Sequence, residues 1–293
     1  MLEAVPNVSE GRYAAAIAEI GRAFAGHARL LDVHSDPDHH RSVYTLAAEG
    51  DLLVDALVDG VARAVALIDL WSHDGVHPRV GAVDVVPVVP LEPSAMPDAK
   101  QCALAVAGRI GADLGVPVFL YGEVGGRRRP AFFRKGGLDE LGRRMVAGEL
   151  RPDFGPGVVD PRTGVVLVGA RAPLVAYNVD LDGDDLADAV AIARAVRESS
   201  GGLPGVQAIG LRLPRAGRIQ VSMNIVDLAS APLHEVVARV AREAQARGVS
   251  ISGGELVGMI PRRVLEAAER AGAVVPGLDE SRVLERALER RSL

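Results

Sequence analysis

Five of the seven histidines occupy two short segments, His34, His39 and His40 in DVHSDPDHHR and His73 and His77 in SHDGVHPR. The proline, glycine and aspartate around them mark both segments as loops, where side chains from separate elements can converge. A histidine titrates at about pH 6.5, so such a cluster suits proton transfer near neutrality. The same residues offer a second chemistry. Asp36, Asp38, His39, His40, His73, Asp74 and His77 carry nitrogen and oxygen ligands for a divalent metal, and a metal-dependent hydrolase would rest on Asp36, His39, His40, His73 and His77. Spacing speaks against it. His73 and His77 stand at the i, i+4 interval of helical zinc ligands, yet Gly75 and Pro78 interrupt any helix there and no HExxH word is present. No metal is expected. The bland alternative, a polar surface loop, applies to any isolated histidine.

Other chemistries find less support. There is no GxSxG elbow, and Cys102 lies in the apolar run CALAVAG of an expected helix, where it reads as core. No GxxxxGK[ST] loop exists, and GPGVVD at 155–160 lacks the third glycine of a dinucleotide fingerprint. The run GGRRRPAFFRKGG places Arg127, Arg128, Arg129, Arg134 and Lys135 around two phenylalanines; it can grip a carboxylate-bearing ligand or lie solvated.

The elements that must position these residues alternate between helical and strand periods, which gives an α+β class. A strand at Leu2–Val5 precedes a helix near Arg12–Ala25, strands near Ala28–Val33 and Ser42–Ala48, and a long helix over Asp51–Leu70. The apolar run Ala82–Val89 follows, its Pro87 pointing to a strand end or sheet edge, and Asp84 within it is either a buried orienting partner or a strand-end acid. A helix at Pro97–Leu114 and a strand at Pro117–Tyr121 extend this part. From Gly164 the order returns: strands within Val165–Val179, a helix over Asp184–Arg197, a hairpin of Val206–Leu213 and Arg218–Val226, a helix N-capped by Ser230, and a strand at Val249–Ile251. This repetition predicts two ferredoxin-like β-α-β-β-α-β halves with mixed sheets and a cleft between them, divided as 1–163 and 164–293. Arg151–Gly164, rich in proline and glycine, reads as a linker or cleft loop, and Pro261–Leu293 as a charged helical tail.

The chain has 293 residues, 48% hydrophobic and 24% charged, which is ample for a core. A net charge of −5 argues against a nucleic-acid-coating surface, a single cysteine precludes an intrachain disulfide, and no membrane span or signal peptide is evident. A cytoplasmic location is expected.

Longer words now carry a resemblance: VPNVSEGR at 5–12, SDPDHHRSVYTL at 35–46, HDGVHPRVGAVDVVPVVPL at 73–91, PVFLYGE at 117–123, RPDFGP at 151–156, QVSMNIVDL at 220–228 and GGELVGMIP at 253–261. In this order, over about residues 3–270, they resemble the glutamate formiminotransferase family. The resemblance implies a folate-dependent transferase of histidine degradation and one-carbon metabolism, with tetrahydrofolate as co-substrate and N-formimino-L-glutamate as donor. It further implies two α/β subdomains, a homodimer, and the transfer half alone, with any cyclodeaminase on a separate chain. The family's catalytic histidine maps onto His77. Its folate-binding segment maps onto Gly155, Pro156, Gly157, Val158, Val159, Asp160, Pro161, Arg162, Thr163 and Gly164. Asn7, Ser9, Glu10, His39, His40, Arg41 and Arg79 match positions expected near substrate, and His40 stands where relatives often carry asparagine. A folate-binding protein without catalysis is the other alternative.

Overall fold

The computed structural model describes residues 1–290; the last three residues of the expected helical tail, 291–293, lie outside the described residues. Two compact units divide between Ala172 and Pro173.

In the first unit, the N-terminal strand is broken at Val5–Pro6 into β1 (Leu2–Ala4) and β2 (Asn7–Val8), and α1 (Ala14–Phe24) follows. Next come β3 (Arg29–Asp36), β4 (Arg41–Ala48), α2 (Gly50–Leu67) and β5 (Val83–Pro90). Helix α2 buries Leu53, Leu57, Val61 and Ala64 on one stripe and leaves Asp55 and Asp59 off it, as the 3.6-residue period requires. The strands β3, β4, β1/β2 and β5 stand side by side, all antiparallel, in ferredoxin-like order. The sheet then continues. After α3 (Met96–Asp113), β6 (Val118–Gly122), α4 (Pro130–Arg134) and α5 (Gly137–Val146), β7 (Val166–Ala170) inserts parallel between β5 and β6 and completes seven strands. Two expectations are corrected here. The strand expected to open the second half belongs to the first sheet, because its all-buried sequence VLVGA fits a strand covered on both faces. Pro87 is central, paired with Gly169 on one side and facing Val5 on the other.

The proline has a structural consequence. Val5 donates its N–H to the Pro87 carbonyl at 3.1 Å, but Pro87 has no N–H to return. The Asn7 side chain makes good the loss, its Nδ2 donating to the Val5 carbonyl at 2.7 Å. That bond fixes which end of the amide is which and leaves Oδ1 as an acceptor.

The second unit contains β8 (Val175–Leu181), α6 (Leu186–Val196), β9 (Val206–Leu213), β10 (Arg218–Ile225), α7 (Leu233–Gln245) and β11 (Ile251–Val257), followed by α8 (Arg262–Arg270) and α9 (Leu284–Glu289). Its sheet runs β11-β8-β10-β9 and is antiparallel throughout, again ferredoxin-like, so the mixed pairing is confined to the first sheet. In β10, Ile219, Val221, Met223 and Ile225 enter a core shared with Val236, Val240 and Ala244 of α7. Ser230 does not cap α7; the Asp227 carboxylate instead accepts from the amides of Ala229 and Ser230. Among the described residues no helix is long and apolar enough to cross a membrane.

Candidate active site

Each histidine segment is a connection at one end of the first sheet. His39 and His40 form the turn between β3 and β4, and His73 and His77 lie in the loop that enters β5. The His39 and His77 rings stack with centroids 5.8 Å apart, and those of His40 and His73 lie 4.2 Å apart.

His73 and His40 build the loop. His73 Nε2 faces the His40 carbonyl at 2.8 Å, while its Nδ1 accepts the Gly75 amide at 3.2 Å, so both ring nitrogens are satisfied by a neutral imidazole. Burial, chiefly, pushes its pKa down to about 4. His40 accepts the Gly11 amide at Nδ1, 3.2 Å away, and burial lowers its pKa also. His40 has φ +49°, the left-handed region that asparagine tolerates better than most residues. Asparagine would meet the same backbone demand at this position. Ser9 holds the Gly81 carbonyl with its hydroxyl at 2.7 Å, Glu10 accepts the amides of Arg12 and Tyr13, and Arg79 donates to the His73 carbonyl. The structure thus places Ser9, Glu10, His40 and Arg79 in the frame of the loops.

Asn7, Arg41, His39 and His77 converge. Arg41 opens β4 and lays its guanidinium across the sheet end: Nε and Nη2 reach Asn7 Oδ1 at 2.8 and 2.6 Å, and Nη1 lies 2.9 Å from both Asp84 Oδ2 and His77 Nδ1. His77 Nδ1 also meets the Pro78 carbonyl at 2.8 Å. Among the described residues, Nε2 of His77 has no hydrogen-bond partner in the protein. Burial, then the charges of Arg41 and Arg134 and the neighbouring His39, hold the His77 pKa well below its ordinary value, so the ring is neutral at pH 7. Burial also brings Arg41 down, to about 10.

Two further members were expected only as one of two alternatives: Asp84 as an orienting partner or a strand-end acid, and Arg134 as part of a basic run that grips a carboxylate or lies solvated. Asp84, only 1% exposed, accepts the Val80 amide at 3.0 Å and both the Arg41 and Arg134 guanidiniums, the latter at 2.5 Å. Burial alone would raise its pKa, but Arg134 and Arg41 outweigh it and hold the carboxylate ionised. A buried acid in an apolar strand demands a cationic partner, and that was the available signal for both. Of the basic run, Arg134 turns inward beside fully buried Phe133, whereas Arg127, Arg128, Arg129 and Lys135 stay exposed. The run therefore divides, and only Arg134 joins the cluster.

The segment 155–164 is pinned to the His77 loop. Val165 and Ala82 donate to the carbonyls of Val80 and Thr163, and Leu70 to that of Arg162. Gly164, at φ +71°, crosses Gly81 so closely that a Cβ on Gly164 would lie 2.3 Å from the Val80 oxygen. Gly155–Asp160 leave this anchor as a largely exposed loop. Arg151–Gly164 is thus no free linker; Phe154 packs on the main core and bridges β6. No group of three or more His, Cys, Asp or Glu side chains is arranged to hold a metal ion among the described residues. His73 spends both ring nitrogens, and His40 its Nδ1, on backbone groups.

Comparison with known proteins agrees in both units. Residues 1–171 match the formiminotransferase domain, N-terminal subdomain, and residues 176–273 match the formiminotransferase domain. The chain is 35% identical to the glutamate formimidoyltransferase of Thermoplasma acidophilum, over 99% of this chain and 98% of that one. It is 36% identical to that of Streptococcus pyogenes serotype M1, with 90% of each covered. It is 37% identical to the formimidoyltransferase-cyclodeaminase of Sus scrofa, of which it spans about half, 51%.

Proposed function

The chain belongs to the formiminotransferase family, and from that membership we propose that it is a glutamate formimidoyltransferase, moving the formimino group between N-formimino-L-glutamate and N5 of tetrahydrofolate. The observation that carries the reading is the imidazole of His77, whose Nδ1 donates to the Pro78 carbonyl with the Arg41 guanidinium close beside it, and whose Nε2 edge is open.

The chemistry needs one proton moved from one nitrogen to another. The N5 lone pair attacks the formimino carbon and the C=N electrons move to nitrogen, giving a tetrahedral adduct. With Nδ1–H donated to the Pro78 carbonyl, His77 carries its lone pair on Nε2 and takes the N5 proton. The imidazolium returns that proton to the glutamate nitrogen, the lone pair of the formimino nitrogen re-forms the C=N bond as the carbon–nitrogen bond to glutamate breaks, and the formimino group is left on N5. No covalent enzyme intermediate is needed. A depressed pKa suits a group that must be neutral at the start and give its proton up readily. Arg41 and Arg134 share a single carboxylate, so their corner carries surplus positive charge for the donor's carboxylates. For folate we propose Gly155–Gly164, on the support of the family resemblance and of the bonds tying this segment to the His77 loop. Histidine degradation, a cytoplasmic location and a homodimer are part of the same proposal and rest on the resemblance.

The test is direct: purified protein with tetrahydrofolate and N-formimino-L-glutamate, following 5-formimino-tetrahydrofolate by absorbance. Product formation that vanishes when either substrate is omitted is expected. No product from this donor, alongside reaction of N-formyl-glutamate, overturns the donor assignment.

A further inference from the structure

Asp84 is the most deeply buried charge of the site, and the transfer chemistry does not use it. It lies in β5 between Val83 and Val85, and its oxygens are fully taken up by protein: Val80 N–H on Oδ1, Arg41 and Arg134 on Oδ2. It has no capacity left for a substrate. What it does reach is His77, by two routes. Through Arg41, whose Nη1 stands 2.9 Å from both Asp84 and His77 Nδ1, it seats a guanidinium against one edge of the ring. Through Val80, it tethers the loop that carries the ring. Asn7 completes the hold on Arg41, and Pro87 fixes Asn7.

We propose that Asp84 is a positioning residue of the transfer reaction: through Val80 it fixes the 77–80 loop, and it holds the Arg41 guanidinium beside the ring, so that the Nε2 edge is presented to the two reacting nitrogens. The proposal rests on the function assigned above. The charged and titratable groups around the ring come from several elements: His39 from the β3–β4 turn, Arg41 from β4, Arg134 from α4 and Arg79 from the ring's own loop. Tyr121 of β6 and Arg171 lie beyond Arg134. Asp84 sets itself against these cations. Removing its charge leaves Arg41 and Arg134 uncompensated beside the imidazole and disfavours the imidazolium. Removing Arg134 leaves Asp84 to Arg41 alone and favours it. The two changes therefore move His77 in opposite directions, a signature that loss of packing does not produce.

The experiment compares wild type, Asp84→Asn, Asp84→Glu and Arg134→Gln. The titration of His77 is followed by NMR in the substrate-free protein, its resonance assigned by its disappearance in His77→Ala; kcat and KM are then measured with tetrahydrofolate and N-formimino-L-glutamate. The His77 midpoint should fall by at least about half a pH unit in Asp84→Asn and rise by a similar amount in Arg134→Gln. In Asp84→Asn kcat should drop roughly 10–100-fold with a much smaller change in donor KM, and Asp84→Glu should recover part of it. An unmoved midpoint in both variants overturns the proposal, as does an unchanged kcat in folded Asp84→Asn. Should Asp84→Asn not fold, the Arg134→Gln titration decides alone: a rise supports the proposal and no change overturns it. Opposite shifts in a protein that transfers no formimino group would retain the Asp84–Arg41–His77 linkage and overturn the function assigned above.

Discussion

The imidazoles of this protein are tuned by where their nitrogens are spent. His77 keeps one nitrogen open, and its replacement by alanine should lower kcat/KM roughly 10²–10⁴-fold, the usual worth of a positioned acid–base group, while tetrahydrofolate still binds. Initial rates and a folate titration on the same preparation separate the two effects. Because burial and Arg41 disfavour the imidazolium, the acid limb of kcat/KM in wild type should fall at a pH below that of an ordinary histidine, about 6.5. His73 predicts something different, because it touches no reacting group. Protonating its Nδ1 would break the bond from Gly75, so the folded protein resists the proton down to about pH 4 while the unfolded chain accepts it near the ordinary value. Below that value the unfolded state binds more protons than the native one, and stability falls as pH drops toward 4. Each such histidine adds at most about 1.4 kcal/mol per pH unit to the decline. Urea midpoints between pH 7 and 4.5 should show it, and a His73→Gln variant should flatten the slope.

At the scale of elements, the site depends on how two loops cross. Gly81 lies against Gly164, and a Cβ on Gly81 would sit 1.9 Å from the Val165 carbonyl, so the His77 loop and the 155–164 segment can meet only with glycine there. Gly81→Ala should push them apart. The expected cost is roughly 1–3 kcal/mol, as for other forced overpacking, together with a loss of kcat/KM in the fraction that remains folded. Urea unfolding and rates normalised to folded protein measure the two. Legibility in the sequence followed locality. The hairpin of β9 and β10 could be read because side chains alternate faces with period two, and the histidine loops because proline and glycine bracket them. The insertion of β7 between β5 and β6 could not be read, since an all-buried strand carries no alternation to say which sheet it joins. Nor could the separation of Arg134 from its four basic neighbours, which is decided by the burial of Phe133 and by the acid waiting on β5. Asp84 was visible as an acid in an apolar run, but its partners come from β4 and α4, distant in sequence.

At the scale of the whole molecule, chemistry and stability are unevenly divided. The residues gathered around His77, and the segment proposed for folate, all precede Ala172. The unit from Pro173 onward has its own core, in which Tyr177, Ile192, Val221, Val236 and Leu256 are buried, and its four antiparallel strands pair with one another. Both helices of the β-α-β repeats pack on the unit's own sheet, α6 on β9 and β10 and α7 on β8, and β11 returns beside β8 to close the order within the unit. A chain organised in this way satisfies its sheet ladder and buries its apolar faces without borrowing a strand. Residues 173–293 expressed alone should therefore unfold in urea as one cooperative transition by circular dichroism, and should show no formimino transfer. Residues 164–293 should behave no better, because the added stretch carries β7, whose strand partners β5 and β6 lie in the other unit and whose sequence is apolar throughout. That longer fragment should aggregate more readily, since it presents an unpaired, hydrophobic strand to solvent. Equal solubility and equal urea midpoints for the two fragments would mean that β7 is not what distinguishes the units.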